Sequence, residues 1–323
     1  MARIAVTDGI VEAAVTRLEE AGHEVVLAHH SVQDLEDGAL TGFDAVVVRS
    51  ATKITAGVIA ASQGLRLIGR AGVGVDNIDL AAASAAGIIV CNTPGASTGS
   101  VVELTIGHLL ASVRHICIGD RDLRAGEWSK KDLTGSELTG KRLGLIGFGR
   151  IAQGVGRVAQ ALGMELHSFD PYLPAEIAEA AGCTLHDDID DIFRICTHIA
   201  VHCNLTDETH HLVNEARLNL MTGVGADGIP CGNHLVSCAR GGIVCEDSVA
   251  SALQSGQLAS AALDVFEKEP VGDSPLLSLP NFHGTPHIGA ATLEAQSRVG
   301  LQMADSVISF LSGGEPASVV NPN

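Results

Sequence analysis

Leu143-Gly144-Leu145-Ile146-Gly147-Phe148-Gly149-Arg150-Ile151-Ala152 decides how the rest of the chain is read. The apolar run Leu143–Ile146 predicts a strand. It breaks into G-x-G-x-x-A, and an amphipathic pattern over Ala152–Leu162 predicts the helix that follows. In that context the first glycine permits a tight turn, the second lets the backbone approach a ligand, and the small third residue lets helix pack on strand. The helix N-terminus adds unpaired N–H groups and partial positive charge, which suit a pyrophosphate. The next predicted strand, Glu165–Phe169, runs into Asp170, 23 residues after Gly147. A carboxylate there can bind a ribose diol and would repel a 2′-phosphate. A lone glycine motif is weak, but strand, turn, helix, strand and terminal Asp together point to NAD.

Outward from this turn, strand and helix patterns alternate. Before it, strands are predicted at Ile4–Thr7, Glu24–Ala28, Ala45–Val48, Leu65–Gly69 and Ile88–Cys91. Helices fall at Val11–Glu20, Ala56–Ala61 and Leu80–Ala86. The strand runs are continuously apolar, the mark of a parallel sheet covered on both faces. One long helix is expected over Ser100–Ile118, then a polar stretch, Arg121–Gly140. After the turn come strands at His198–His202, His234–Cys238 and Ala261–Asp264, and a final helix over Ala291–Leu311. The expected fold class is therefore α/β: two doubly wound parallel-sheet domains, one flavodoxin-like and one an inserted Rossmann domain. The boundaries expected are 1–97 plus 291–323 for a substrate-binding domain and 98–290 for an NAD-binding domain.

Composition narrows the functional classes. A length of 323 residues with 46% apolar side chains allows sizeable cores and excludes disorder. The balance of 20 basic to 38 acidic residues, a net charge of −18, argues against nucleic acid and anionic membranes as partners. Leu80–Val102, the longest uncharged stretch, contains Asn92, Thr93 and Pro94 and fails as a membrane helix. Eight cysteines without a CxxC spacing suggest reduced thiols and a cytoplasmic location.

Three further segments carry chemistry. Cys238-Ala239-Arg240-Gly241-Gly242 and Asp264-Val265-Phe266-Glu267-Lys268-Glu269-Pro270 leave predicted strand ends, and Thr285-Pro286-His287-Ile288-Gly289-Ala290 precedes the last helix. Arg240 and Glu269 are 29 residues apart, Glu269 and His287 are 18 apart. Together with Val48–Lys53, Gly69–Asn77 and Asn92–Gly95, these motifs closely resemble the D-isomer-specific 2-hydroxyacid dehydrogenases, over nearly the whole chain. Within that family the similarity is greatest to the branch that oxidises D-3-phosphoglycerate in phosphorylated serine synthesis.

The resemblance implies roles. His287 would be the general acid/base, since an imidazole changes charge near neutrality. Glu269 would orient it and favour its protonated form. Arg240 would grip the substrate carboxylate with its planar fork. Gly147, Gly149, Arg150 and Ile151 would face the pyrophosphate and Asp170 the ribose. Cys203, Cys238, Ala239, Asp264, Gly289 and Ala290 match the family's further cofactor contacts. Arg49, Ser50, Lys53 and Arg70, with Gly72, Val73 and Gly74, would hold a small anionic 2-hydroxy or 2-oxo acid. Val73 stands where the phosphoglycerate branch often carries Thr. The family also implies a homodimer, or a tetramer, through Ser100–Ile118 and Arg121–Gly140, with Lys130 and Lys131 reaching a neighbouring subunit. A short form is expected, without a regulatory domain after Asn323 and without serine feedback of the long-enzyme type.

Some features depart from the pattern. Thr222–Gly232 is an extra Gly-rich piece expected to be a surface loop. Asn204 replaces a usual Pro, and Cys245 a usual Asp. Gly95-Ala96-Ser97-Thr98-Gly99 matches a nucleophile-elbow pattern, but Ser97 is not directly on a strand end, so helix capping is the better reading. His198 and His202 would share one face of a strand and Cys203 the other, so no metal site is expected there. The competing functions are reduction of hydroxypyruvate or glyoxylate, sulfolactate oxidation, and a non-catalytic NAD-sensing protein.

Overall fold

The computed structural model describes residues 1–321. They form two compact α/β units, Met1–Thr98 with the chain from Ala290 onward, and Gly99–Gly289.

In the first unit β1 (Arg3–Val6), α1 (Glu12–Glu20), β2 (Glu24–Leu27), α2 (Val32–Glu36), β3 (Ala45–Val48), α3 (Ala56–Ala61), β4 (Leu67–Arg70), α4 (Leu80–Ala85) and β5 (Ile89–Asn92) alternate. The sheet is wholly parallel, in the order β2-β1-β3-β4-β5. One face buries Ile4, Val47 and Leu67 against Val299, Met303 and Val307 of the C-terminal helix, Leu293–Leu311. The other buries Val46, Val48, Ile68 and Val90 with Val58 and Ile59. Cover on both faces explains the unbroken apolar strands. The strand order reverses between β1 and β3, and Asp8 and Arg49 follow those two strand ends.

The second unit contains α5 (Thr98–Val113), α6 (Ile116–Arg124), β6 (Arg142–Ile146), α7 (Arg150–Ala161), β7 (Glu165–Phe169), α8 (Ala175–Ala180), β8 (Cys183–His186), α9 (Ile189–Ile195), β9 (His198–Val201), α10 (Glu215–Leu218), β10 (His234–Ser237), α11 (Glu246–Ser255), β11 (Ser260–Leu263) and β12 (Phe282–Gly284). Its parallel sheet runs β12-β11-β10-β9-β6-β7-β8. The reversal lies between β6 and β9, so Gly147 and Cys203 flank the switch point, where such sheets bind ligands. The expected α/β class with two parallel sheets is what the chain adopts.

The single helix expected over Ser100–Ile118 is two helices. α5 ends at Val113, His115 takes a left-handed conformation (φ 53°), and α6 leaves at 67°. The Val113 carbonyl, which a continuous helix would use, accepts instead from the Ser136 N–H at 3.0 Å. Ile116, Cys117 and Ile118 continued the apolar run, so periodicity carried no sign of the break. No single helix among the described residues is long and apolar enough to cross a membrane. The edge strands β8 and β12 were not expected; they are short, and their polar residues obscure alternation. The extra Thr222–Gly232 segment is tied down rather than free. A Val224–Pro230 bridge closes it, and Asp227 pairs with the ammonium of Lys141, whose side chain is only 3% exposed.

His198 and His234 sit side by side on β9 and β10, fully buried, with ring centroids 4.7 Å apart. The His234 Nε2–H donates to the Cys231 carbonyl and Nδ1 accepts from Ser260 Oγ. Burial holds both rings neutral: His234 falls to about 4 and His198 well below the usual histidine value. Unfolded histidine titrates near 6.5, so below that pH the unfolded chain binds protons that the folded chain refuses until about pH 4. Stability is therefore lost as pH falls through this window, by about 1.4 kcal/mol per pH unit for each ring. These two rings alone should make the unfolding free energy in urea about 2–2.5 kcal/mol lower at pH 5 than at pH 6; equal unfolding free energies at the two values would contradict this.

Candidate active site

The turn after β6 has the shape its glycines require. Gly147 has φ 82°, and a Cβ there would lie 2.8 Å from the Cys203 backbone nitrogen. Only glycine satisfies both the left-handed backbone and that approach. Gly149, the N-cap of α7, faces open space and makes no side-chain cap bond, and Gly149 and Arg150 are exposed. Ala152 is buried against the sheet and Ile151 is half-buried. Asp170 accepts from the Phe148 N–H (2.9 Å) through one oxygen and from the Tyr172 N–H (3.1 Å) through the other. It thus braces the glycine turn, and its remaining lone pairs are available to a diol. An uncapped helix start, a glycine cradle and a strand-end carboxylate fit a dinucleotide.

Two loops meet at His287 and Glu269. His287 Nδ1 lies 2.7 Å from Glu269 Oε2, with 43% and 37% of the two side chains exposed. Glu269 Oε1 accepts from the Phe266 N–H at 3.1 Å, which fixes the carboxylate. An ionised carboxylate only accepts, so Nδ1 carries the hydrogen and Nε2 is left for a reacting group. His287 has φ 52°, uncommon for a residue with a side chain. Its N–H donates to the Asp264 carbonyl at 2.8 Å.

Asp264 governs this loop. The residue is 1% exposed; Oδ1 accepts from Thr285 Oγ1 (2.6 Å) and the Ile288 N–H (2.8 Å), and Oδ2 from the Gly289 N–H (2.8 Å). Because the Thr285 hydroxyl gives its proton to Asp264, it accepts from Nε2–H of His108 at 3.1 Å. Burial lowers the affinity of His108 for a proton, partly offset by the Asp264 charge. Ala290, next to Gly289, is half-buried.

Arg240 follows β10, half-buried, with Nη1 donating to the Ala239 carbonyl at 2.7 Å. At Gly241 a Cβ would lie 1.8 Å from the Phe266 carbonyl oxygen, so the Arg240 and Glu269 loops approach at backbone distance. Burial pushes the Cys203 thiol to about 11 and the Cys238 thiol to about 12. Both stay protonated near neutral pH, which argues against a nucleophilic role for either thiol.

In the first unit the register sets Val48 beside Arg70 and Arg70 beside Asn92, so Arg49, Arg70 and Asn92 share one sheet edge. Asp8 holds the loop after β3: Oδ2 accepts from the Arg49 N–H (2.6 Å) and the Thr52 N–H (3.0 Å), Oδ1 from Thr52 Oγ1 (2.6 Å). Asn77 Nδ2 ties the carbonyls of Arg49 and Thr52 from the other side. Ser50 and Lys53 are exposed. The Arg70 guanidinium lies over Gly72, whose carbonyl accepts from the Thr93 N–H (2.9 Å); the Val73 carbonyl accepts from Asn92 Nδ2 (2.6 Å), and Gly74 is half-buried. Asp8, Arg49 and Ala71 line a cavity of about 180 Å³.

Reading the residues alone missed Asp8, Asn77, Thr285 and His108 as positioning groups. Asp8 stands directly after a strand and Thr285 lies inside a quoted motif; nothing in the sequence marks His108.

Residues 106–289 match the model of the D-isomer specific 2-hydroxyacid dehydrogenase NAD binding domain. The chain belongs to the D-isomer specific 2-hydroxyacid dehydrogenase family. It is 44% identical over 324 aligned residues to D-3-phosphoglycerate dehydrogenase of Methanocaldococcus jannaschii, covering 100% of this chain but 60% of that protein. It is 41% identical to hydroxypyruvate reductase of Thermotoga maritima, covering 96% of this chain and 98% of that one. Among solved structures, a glyoxylate reductase from Paecilomyes thermophila superposes with a TM-score of 0.88 at 27% identity, over 99% and 98% of the two chains.

Asp264→Asn replaces an acceptor oxygen by an amide that would face N–H donors. The unfolding free energy should fall by roughly 2–4 kcal/mol. Chemical denaturation measures this; an unchanged midpoint would mean that the 285–289 segment holds itself in place.

Proposed function

We propose that the chain is an NAD-dependent dehydrogenase that interconverts D-3-phosphoglycerate and 3-phosphohydroxypyruvate, a step of phosphorylated serine synthesis. The observation that carries this reading is the His287–Glu269 contact at 2.7 Å beside the Arg240 loop. NAD, when bound, supplies the acceptor for the C2 hydride. His287 Nε2 takes the C2 hydroxyl proton as the alcohol is oxidised and returns it in the reverse direction. Glu269 keeps the ring in the Nδ1–H tautomer and stabilises the imidazolium. Arg240 binds the substrate carboxylate through its fork and polarises the C2 oxygen.

Gly147, Gly149, Arg150 and Ile151 are assigned to the pyrophosphate, Asp170 to the adenosine ribose. Cys203, Cys238, Ala239, Gly289 and Ala290 are assigned to the cofactor through backbone. Asp264 accepts three protein donors and retains capacity for a carboxamide N–H. Arg49, Ser50, Lys53 and Arg70 are assigned to the substrate's phosphate, and the Gly72–Gly74 backbone to its carboxylate. A protein of net charge −18 needs such a local cluster of basic groups to attract an anion.

Reduction of hydroxypyruvate or glyoxylate is the second reading. A relative that this chain spans almost end to end is a hydroxypyruvate reductase, and Val73 lacks the side-chain hydroxyl that the phosphoglycerate branch often carries there. A homodimer is favoured by the exposed Ile116, Leu123 and Trp128 on α6 and the loop after it. A cytoplasmic location is supported by eight free cysteines.

NADH oxidation should be compared with phosphohydroxypyruvate, hydroxypyruvate, glyoxylate, pyruvate and sulfopyruvate. Phosphohydroxypyruvate should give the highest kcat/KM. Preference for hydroxypyruvate would select the second reading, and no turnover of any 2-oxo acid would defeat both. His287→Asn should lower kcat by about 10²–10⁴-fold while leaving NADH affinity within a few-fold.

A further inference from the structure

We propose that His211, Cys245 and Glu267 form a binding site for a borderline divalent transition metal, with Zn²⁺ the best match. One ligand atom from each lies within 4.8 Å of the other two. The residues stand 34 and 22 positions apart in the sequence, without any metal-binding spacing.

Backbone bonds hold the three side chains together. His211 has φ 50°, and its N–H donates to the Gly242 carbonyl at 2.7 Å. Val213 and Val244 form a parallel bridge, and the Cys245 N–H donates to the Val213 carbonyl at 2.9 Å, zipping residues 211–213 to 242–245. A left-handed backbone at a residue with a side chain persists only where its surroundings enforce it. The His211 ring stacks on His210, centroids 4.0 Å apart. The third segment is joined by a reciprocal pair. The Glu246 N–H donates to Glu267 Oε1 (3.1 Å), and the Glu267 N–H to Glu246 Oε1 (2.6 Å).

The geometry suits a small tetrahedral ion. Zinc bonds of about 2.0–2.3 Å place adjacent ligand atoms about 3.3–3.6 Å apart. His211 Nε2 and Glu267 Oε1 are already 3.0 Å apart, one edge of such a tetrahedron. The thiol then has to close a gap of about 1.2 Å at most. Nitrogen, sulfur and oxygen donors together favour zinc, cobalt or nickel over calcium or magnesium, which prefer oxygen alone. Glu267 is exposed, so the fourth position faces water. A hollow of about 290 Å³ beside it, lined by Glu246, Asp247, Glu267 and Asp273 with Lys268, is predominantly acidic and favours a cation. On binding, His211 shifts its proton from Nε2 to Nδ1, Cys245 releases its thiol proton to solvent, and Glu267 Oε1 exchanges the histidine donor for the metal. Uptake should therefore strengthen as pH rises. The site is distinct from the His287–Glu269 pair, and its expected effect is to stabilise the loops rather than to turn over substrate.

The test uses the whole chain, stripped by chelator and dialysed, without NAD or substrate, and titrated with Co²⁺ and then Zn²⁺. One Co²⁺ per chain should bind with a thiolate-to-cobalt charge-transfer band and intense visible bands, and Zn²⁺ should displace it and raise Tm. Cys245→Ser, which places a favourable N-cap residue at the start of α11, should abolish the charge-transfer band and weaken Zn²⁺ at least tenfold. His211→Asn, which tolerates the left-handed backbone, should weaken Zn²⁺ similarly and serves if the serine variant does not fold. Cys117→Ser, at an exposed cysteine elsewhere, should change neither. Absence of stoichiometric uptake, persistence of the band in Cys245→Ser, or its loss in Cys117→Ser would overturn the proposal.

Discussion

The buried carboxylate of Asp264 does more than any other group to shape the candidate active site. Three donors from the segment 285–289 converge on its two oxygens, and its own carbonyl holds the His287 N–H. A carboxylate this deeply buried persists because its desolvation is offset by charge-assisted bonds. The same bonds enforce the left-handed backbone at His287, and that conformation presents the imidazole to Glu269. His108 extends the arrangement into the core through Thr285.

The device recurs. Asp8 at the end of β1 gathers the Arg49–Thr52 loop, and Asp170 at the end of β7 gathers the glycine turn after β6. In each case a carboxylate just beyond a parallel strand accepts N–H groups that the sheet cannot satisfy. The strands supply rigid, evenly spaced ends; the aspartates convert those ends into loops of defined shape. Arg49, Asp170 and His287 thus owe their positions to backbone hydrogen bonding close to the sheets, which limits how far each loop can wander.

Much of this was legible from local pattern. Continuous apolar runs gave away parallel strands because both faces of each sheet are covered, and G-x-G-x-x-A announced its turn because only glycine tolerates the backbone at Gly147. The ordered Arg240, Glu269 and His287 motifs pointed to side chains of which His287 and Glu269 meet at 2.7 Å. Other features left no local trace. The break between α5 and α6 depends on Ser136, which takes the Val113 carbonyl from far along the chain. The Lys141–Asp227 pair, which anchors the extra loop, joins residues on either side of four strands. The convergence of His211, Cys245 and Glu267 depends on the bridge between Val213 and Val244.

The sequence by itself determined the α/β class and the glycine turn and singled out the candidate reacting side chains, because each rests on short-range rules of periodicity, glycine conformation and residue chemistry. Tertiary structure alone decided which donors reach Asp264 and Asp8, which tautomers His108 and His287 hold, and which side chains meet at Cys245. Those outcomes depend on how strand ends distant in the chain are brought side by side, and hydrogen bonds form between neighbours in space whatever their separation in sequence.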